Sequence, residues 1–145
     1  MLRVLIVLPT YNERENIAPM LEALLALPDQ VDVLVVDDNS PDGTWRYVEQ
    51  YMDSHPEGRV NLLHRAGKQG LRSAYLAGFQ WGLERKYDYL CEIDCDFSHN
   101  PEDVTRLLSA CEEQQAALAI GSRYVSGVNV VNWPMGRIIM SYCAS

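Results

Sequence analysis

Five apolar runs punctuate the chain, at residues 4–8, 31–36, 60–63, 89–93 and 117–120. Each is nearly continuous rather than alternating. That is the pattern of strands buried on both faces, as in a parallel sheet covered by helices. The segments between the runs carry apolar residues at helical spacing. Residues 13–26 place Ile17, Met20, Leu21, Leu24 and Leu25 on one face, with Asn12 as the expected cap and Glu15 reaching back three residues later. Residues 43–54 offer Trp45, Val48 and Met52, and residues 71–85 offer Leu71, Ala74, Tyr75 and Gly78. A fourth helix is expected to start at Asn100 as cap and Pro101 as first residue, with Val104, Leu107, Leu108 and Cys111 on its inner face.

The alternation βαβαβαβαβ predicts an α/β fold: a doubly wound, mainly parallel sheet with right-handed crossovers and helices on both faces. No internal repeat, low-complexity tract or linker interrupts it, and 145 residues suit a single domain. Residues 125–145 receive no element.

In such sheets ligands bind beyond the carboxyl ends of the strands. That rule brings four polar clusters to one rim: "PTYNE" after the first run, "DDNSPDG" after the second, "DCD" after the fourth and "GSRY" after the fifth. Asp37, Asp38, Asp94, Asp96 and Glu13 then crowd negative charge onto one edge. Repulsion among them is relieved by a cation. Magnesium and manganese prefer oxygen ligands, and magnesium often takes one or two carboxylates and completes its shell with water and substrate phosphates. Asp94 and Asp96 fit that role; the plainer alternative is a pair of turn residues before a helix. Asp38 at a strand end can accept hydrogen bonds from a nucleobase or ribose. Tyr11 can stack on a ring, and Glu13 can accept from an imide or amino group. Arg123 supplies a cation near a pyrophosphate, with Lys68 and Arg72 as further basic candidates in a glycine-containing loop. His99 could support the metal or the loop, the plainer alternative being a packed or solvent-facing residue before a helix cap. Trp45, Trp81 and Tyr75 read as core.

Composition narrows the classes. The formal charge of -8 argues against general nucleic-acid binding and against a polybasic membrane anchor. Cys91, Cys95, Cys111 and Cys143 form no CxxC pair and the three histidines are scattered, which disfavours structural zinc. Cys91 and Cys95 would stand roughly 13 Å apart on a strand, too far for a disulfide, so reduced thiols in a cytoplasmic setting are expected. The opening apolar run stops at Pro9 and reads as a strand rather than a signal peptide. No segment has the length of a membrane span.

The motifs "VLPTYNERENI", "VVDDNSPDGT", "GLRSAYLAGF", "EIDCDFSHNPED" and "GSRYVSG" occur in the order and approximate spacing of family 2 glycosyltransferases. Within that family the chain most resembles the polyprenol-phosphate (dolichyl-phosphate) mannose synthases, from Val4 to about Gly127. The resemblance implies the GT-A nucleotide-sugar fold. It further implies Mg²⁺ or Mn²⁺ as cofactor and inverting transfer of mannose from GDP-mannose to a polyprenyl (dolichyl) phosphate. By motif, Pro9, Tyr11, Glu13, Val36 and Asp38 would hold the guanosine. Asp94, Cys95 and Asp96 would line the metal and diphosphate, and Arg123 would face the phosphates. Where the family typically has alanine, this chain has Cys95. The family's catalytic domain also continues past the point where this sequence stops, so the chain resembles its N-terminal part. An enzyme of this kind would sit at the cytosolic face of a membrane, touching it peripherally through its C-terminal region.

Other readings keep the fold and change the donor to another UDP- or GDP-sugar, or leave a nucleotide-binding remnant without turnover. "VLVVDDN" also resembles the acidic pair of a phosphate-accepting receiver domain. There the pair ends the first strand and a lysine follows a late one, neither of which this chain offers.

Overall fold

The computed structural model describes residues 2–121, 128–131 and 138–141. The chain alternates as its hydrophobic pattern predicts: β1 (Val4–Thr10), α1 (Arg14–Leu25), β2 (Val31–Asp37), α2 (Thr44–Ser54), β3 (Val60–His64), α3 (Leu71–Glu84), β4 (Tyr89–Glu92), α4 (Asp103–Glu113) and β5 (Leu118–Gly121). Two further strands, β6 (Val128–Val131) and β7 (Ile138–Ser141), lie in the stretch that received no element from the sequence.

The strands form one sheet in the order β3-β2-β1-β4-β7-β5-β6. All neighbours run parallel except β5 and β6, which are antiparallel. Every residue of β1 is buried. The period of two in a strand then splits its side chains between two cores. Val4, Ile6 and Leu8 join Val31, Val33 and Val35 beneath α1, α2 and α4, through Leu21 and Leu24, Val48, and Leu107 and Cys111. Leu5 and Val7 face the other way with Leu34, Val36 and Leu90, where α3 covers them through Ala74, Tyr75 and Phe79. Fully burying one such aliphatic side chain is worth about 1.5–3 kcal/mol.

Two glycines set how closely α3 can lie. A Cβ at Gly78 would strike the Val7 side chain; one at Gly82 would stand 2.5 Å from Leu90 and 2.8 Å from Leu5. The backbone of α3 therefore rests almost directly on β1 and β4.

The helix starts depart from the expected caps. Asn12 does not cap α1: its backbone is left-handed at φ 56, and its Oδ1 accepts from the Asp42 N–H at 3.3 Å. The free donors near the start of α1 find partners on the neighbouring loop instead. The Glu13 N–H donates to Thr44 Oγ1 (3.1 Å) and the Arg14 N–H to Asp42 Oδ2 (3.0 Å). Asparagine tolerates the left-handed region, and a cross-loop acceptor satisfies an orphan N–H as well as a local cap does. For α4, Asn100 Oδ1 accepts from the Glu102 N–H at 3.1 Å, as a cap should. The first turn is made of short i→i+3 bonds, so regular helix begins only at Asp103.

Candidate active site

The carboxyl ends of β1, β2 and β4 meet the start of α3 around a cleft of about 250 Å³. Pro9, Tyr11, Glu13, Asp38, Asp94, Cys95 and Asp96 all line it, and with Lys68 eight of the candidate site residues singled out from the sequence converge on one cavity. Lys68, Gly70, Leu71 and Ala74 form the facing wall. Val36 is fully buried in the core under α3 and does not line the cleft. Arg72 borders a neighbouring depression with Glu92, Leu71 and Tyr75. Arg123 lies outside the described residues.

The two aspartates of the second motif have different tasks. Asp37 is fully buried. Its Oδ1 accepts from the hydroxyls of Thr10 (2.6 Å) and Ser40 (2.7 Å), and its Oδ2 from the Ser40 N–H (2.9 Å). It clamps the end of β1 to the end of β2 and starts the turn that follows. Asp38 turns toward the cleft and is held by Arg65: Nε donates to Oδ1 at 2.6 Å and Nη2 to Oδ2 at 2.9 Å. Beyond the turn, burial opposes ionisation of Asp42. Hydrogen bonds from the Thr44 hydroxyl and from the Arg14 and Thr44 N–H groups outweigh it and hold the carboxyl below its usual range. Gly43, at φ 81, supplies the left-handed residue that lets α2 begin there.

At the end of β4, Asp94 receives the Tyr75 hydroxyl at Oδ1 (2.5 Å) and its N–H points at His99 Nδ1 (3.4 Å). Burial, and then the bond to Asp94, push the Tyr75 phenol far above its ordinary range, so Tyr75 remains a donor. Asp96 Oδ1 accepts from the Ser98 N–H at 2.9 Å. Its hydrogen bonds with Ser98 outweigh partial burial and hold its carboxyl below the usual range. Phe97, directly after it, sits at φ 61. A bulky side chain in that region costs of order 1–3 kcal/mol, which the tight turn around Asp96 imposes. Glu92, two residues before Asp94 and half-buried, is pushed up to about 7 by burial and by the nearby Asp94 carboxylate.

Across the mouth of the cleft, Lys68 Nζ stands 4.6 Å from the centroid of the Tyr11 ring. This cation–π contact pairs an aromatic platform with a mobile positive charge. The buried Cys95 thiol, between the two aspartates in sequence, is pushed up to about 12 by burial and by Glu13, Asp96 and Asp94. It stays protonated and offers no thiolate to a soft metal.

These donors suit a hard divalent ion. Asp94 and Asp96 present carboxylate oxygens on the cleft wall, and the anionic form of Asp96 is favoured. Among the described residues no group of three or more His, Cys, Asp or Glu side chains converges closely enough to hold a metal alone. A site of two carboxylates needs oxygens from a substrate to fill its shell, as magnesium sites at phosphates do.

Two contributors escaped the sequence. Arg65 stands one residue past β3, at a strand end on the same rim, and that position was the available signal. Tyr75 shares the helical spacing of the core residues Ala74 and Gly78, and nothing in the sequence separates its hydroxyl from a buried ring.

Known proteins place this geometry. Residues 5–143 match the model of glycosyl transferase family 2. The chain is 49% identical over 143 residues to a polyprenol monophosphomannose synthase of Mycolicibacterium smegmatis, covering 99% of this chain and 53% of that protein. It is 37% identical over 146 residues to a dolichol-phosphate mannosyltransferase of Pyrococcus furiosus, covering 97% of this chain and 38% of the relative. The chain thus spans about half or less of these relatives' length. Among solved structures, the mannosyltransferase PcManGT from Pyrobaculum calidifontis, in complex with GDP-Man and Mn²⁺, superposes with a TM-score of 0.67 at 22% identity, covering 83% of this chain and 35% of that one. TarS of S. aureus in complex with UDP superposes at 0.64 and 20% identity, covering 88% and 38%. These likenesses establish the GT-A fold; the sequence matches establish the family. The chain belongs to glycosyl transferase family 2.

Proposed function

We propose that this chain forms the donor-binding part of an inverting mannosyltransferase that moves mannose from GDP-mannose to a polyprenyl (dolichyl) phosphate. The observation that carries the reading is the meeting of Tyr11, Glu13, Asp38, Asp94 and Asp96 in one cleft at the carboxyl edge of the sheet. The relatives' names supply the sugar and the lipid phosphate.

Within that reading Tyr11 stacks on the base and Glu13 accepts from its imide or amino group. Glu13 Oε2 already receives Asn16 Nδ2 at 2.8 Å, which leaves Oε1 for the ligand. Asp38 accepts from the nucleoside. Asp94 and Asp96 would hold a magnesium or manganese ion, which when bound neutralises charge on the departing diphosphate. Tyr75 holds one oxygen of Asp94 and leaves the other toward the cleft. Arg123 would add a fixed cation beside the phosphates. The acceptor is a phosphate monoester with a second pKa of about 6, largely dianionic at neutral pH. In that form it can attack without a general base. No helix among the described residues is long and apolar enough to cross a membrane. The lipid phosphate would be met at the cytosolic surface of a membrane, with contact through the C-terminal region.

Calorimetry with GDP-mannose, GDP-glucose and UDP-glucose, each with Mn²⁺ and with EDTA, tests the reading. GDP-mannose should bind at least about tenfold more tightly than UDP-glucose, a difference of about 1.4 kcal/mol, and EDTA should abolish the heat. Equal affinity for guanosine and uridine donors would overturn the donor assignment, and binding indifferent to metal would overturn the metal site.

A further inference from the structure

We propose that Arg65 is the positioning residue of the donor cleft, holding Asp38 with a single open acceptor site and fastening the facing loop to it. The proposal rests on the reading that Asp38 accepts a hydrogen bond from the nucleoside.

Arg65 does not line the cleft; it acts from behind. Its side chain and that of Asp38 are only 9% and 7% exposed. The two groups form a forked pair through Nε–Oδ1 (2.6 Å) and Nη2–Oδ2 (2.9 Å). The Gln69 N–H adds a third bond, to Oδ2 at 3.2 Å. A carboxylate has about four lone-pair sites. Three are filled, two of them on Oδ2, so one site on Oδ1 remains for a ligand. Asp38 can therefore receive one donor, such as a ribose hydroxyl or a single ring N–H. It cannot make the two-point contact that a free carboxylate offers to adjacent N–H groups of guanine. Discrimination between bases then falls to other groups, Glu13 foremost.

The same guanidinium reaches forward. Nη1 donates to Ser73 Oγ at 2.7 Å and Nη2 approaches the Gly70 carbonyl at 3.4 Å. The Arg65 N–H donates to the Asp37 carbonyl at 2.8 Å, which fixes its own backbone to β2. One side chain thus joins the end of β2 to the start of α3 and spans the loop carrying Lys68. That loop is the wall opposite Asp94 and Asp96.

Charge favours the same role. Asp38 shares the cleft with Glu13, Asp94 and Asp96 and follows the buried Asp37. Among the described residues the positive side holds Arg65, in contact, and Lys68, which is turned to Tyr11. His64, at the end of β3, faces away: its Nε2 meets Asn39 Oδ1 and its ring stacks on Trp45. Removing Arg65 leaves the buried Asp38 carboxylate beside those of Asp37, Glu13, Asp94 and Asp96 with, among the described residues, no other cation in contact, a strongly destabilising arrangement.

The test compares Arg65→Met, Arg65→Lys, Asp38→Ala and the double variant Arg65→Met/Asp38→Ala with the wild type, by calorimetry with GDP and Mn²⁺ at neutral pH. Arg65→Met should raise the dissociation constant about tenfold or more, and Arg65→Lys, which keeps a charge but not the fork, should restore part of that loss. Because Arg65 acts through Asp38, the double variant should bind within about threefold of Asp38→Ala alone. Losses that multiply in the double variant, an Arg65→Met affinity equal to wild type, or a loss in Arg65→Lys equal to that in Arg65→Met would overturn the role of Arg65. Hydrogen exchange at the Gln69 amide, followed without ligand, should quicken about tenfold or more in Arg65→Met, and an unchanged rate would overturn the fastening of the loop. If wild type binds no guanosine nucleotide, the donor reading fails, while the exchange measurement still decides whether Arg65 fastens the loop. If Arg65→Met does not fold, the same cycle is run with Arg65→Lys: a loss that vanishes in the Asp38→Ala background supports the role, and a loss that persists there, or no loss at all, overturns it.

Discussion

At the scale of single residues, the cleft separates carboxylates by what surrounds them. Asp37 is spent on structure, Asp38 is clamped, and Asp96 is kept ionised by Ser98, while Glu92 is pushed toward neutrality. Asp94 owes its orientation to a phenol. Tyr75→Phe removes the donor from Asp94 Oδ1 and leaves the ring in place, so the fold should hold within about 1 kcal/mol. Mn²⁺ affinity, read by calorimetry with GDP present, should fall about tenfold, in the range seen when a group that orients a metal ligand is lost. Unchanged metal affinity would show that Asp94 is oriented by the turn alone. The sequence exposed the acids because acids at strand ends are conspicuous. Tyr75 and Arg65 stayed hidden because their value lies in partners 19 and 27 residues away.

Among the elements, the first nine were legible to within about three residues, because their apolar runs are nearly continuous and their helices strongly periodic. β6 and β7 were not. Each is four residues long, and β7 inserts between β4 and β5, a placement that no local pattern encodes. The start of α1 was misread for a related reason: its donors are satisfied across space by Asp42 and Thr44 rather than by Asn12 next door. The tight seat of α3 gives the element-scale prediction. Gly78→Ala drives a methyl into Val7 and forces α3 away from β1. Chemical denaturation should show a loss of about 1–3 kcal/mol, the range for overpacking a well-filled core. Because α3 also carries Ala74 to the cleft and Tyr75 to Asp94, GDP binding should weaken with it. A neutral effect on stability would mean that the helix can shift without strain.

The molecule as a whole is a sheet covered on both sides that ends in a rim where polar groups gather. Parallel β1, β2 and β4 deliver their carboxyl ends to one edge, and the motifs sit there because that edge lies outside both cores. The fold was readable from periodicity, and the gathering of the polar motifs around one cleft from one topological rule. The wiring behind the site needed coordinates. The central claim is that Asp94 and Asp96 hold a divalent ion beside a guanosine diphosphate lodged against Tyr11, Glu13 and Asp38. Its most direct measurement is paramagnetic broadening of backbone amide signals by Mn²⁺ in the presence of GDP. The account predicts loss of the signals of residues 94–98, attenuation at Tyr11 and Glu13, and intact signals in α2 near Ser54. Broadening that avoids residues 94–98, or that is the same in Asp96→Ala, would contradict it.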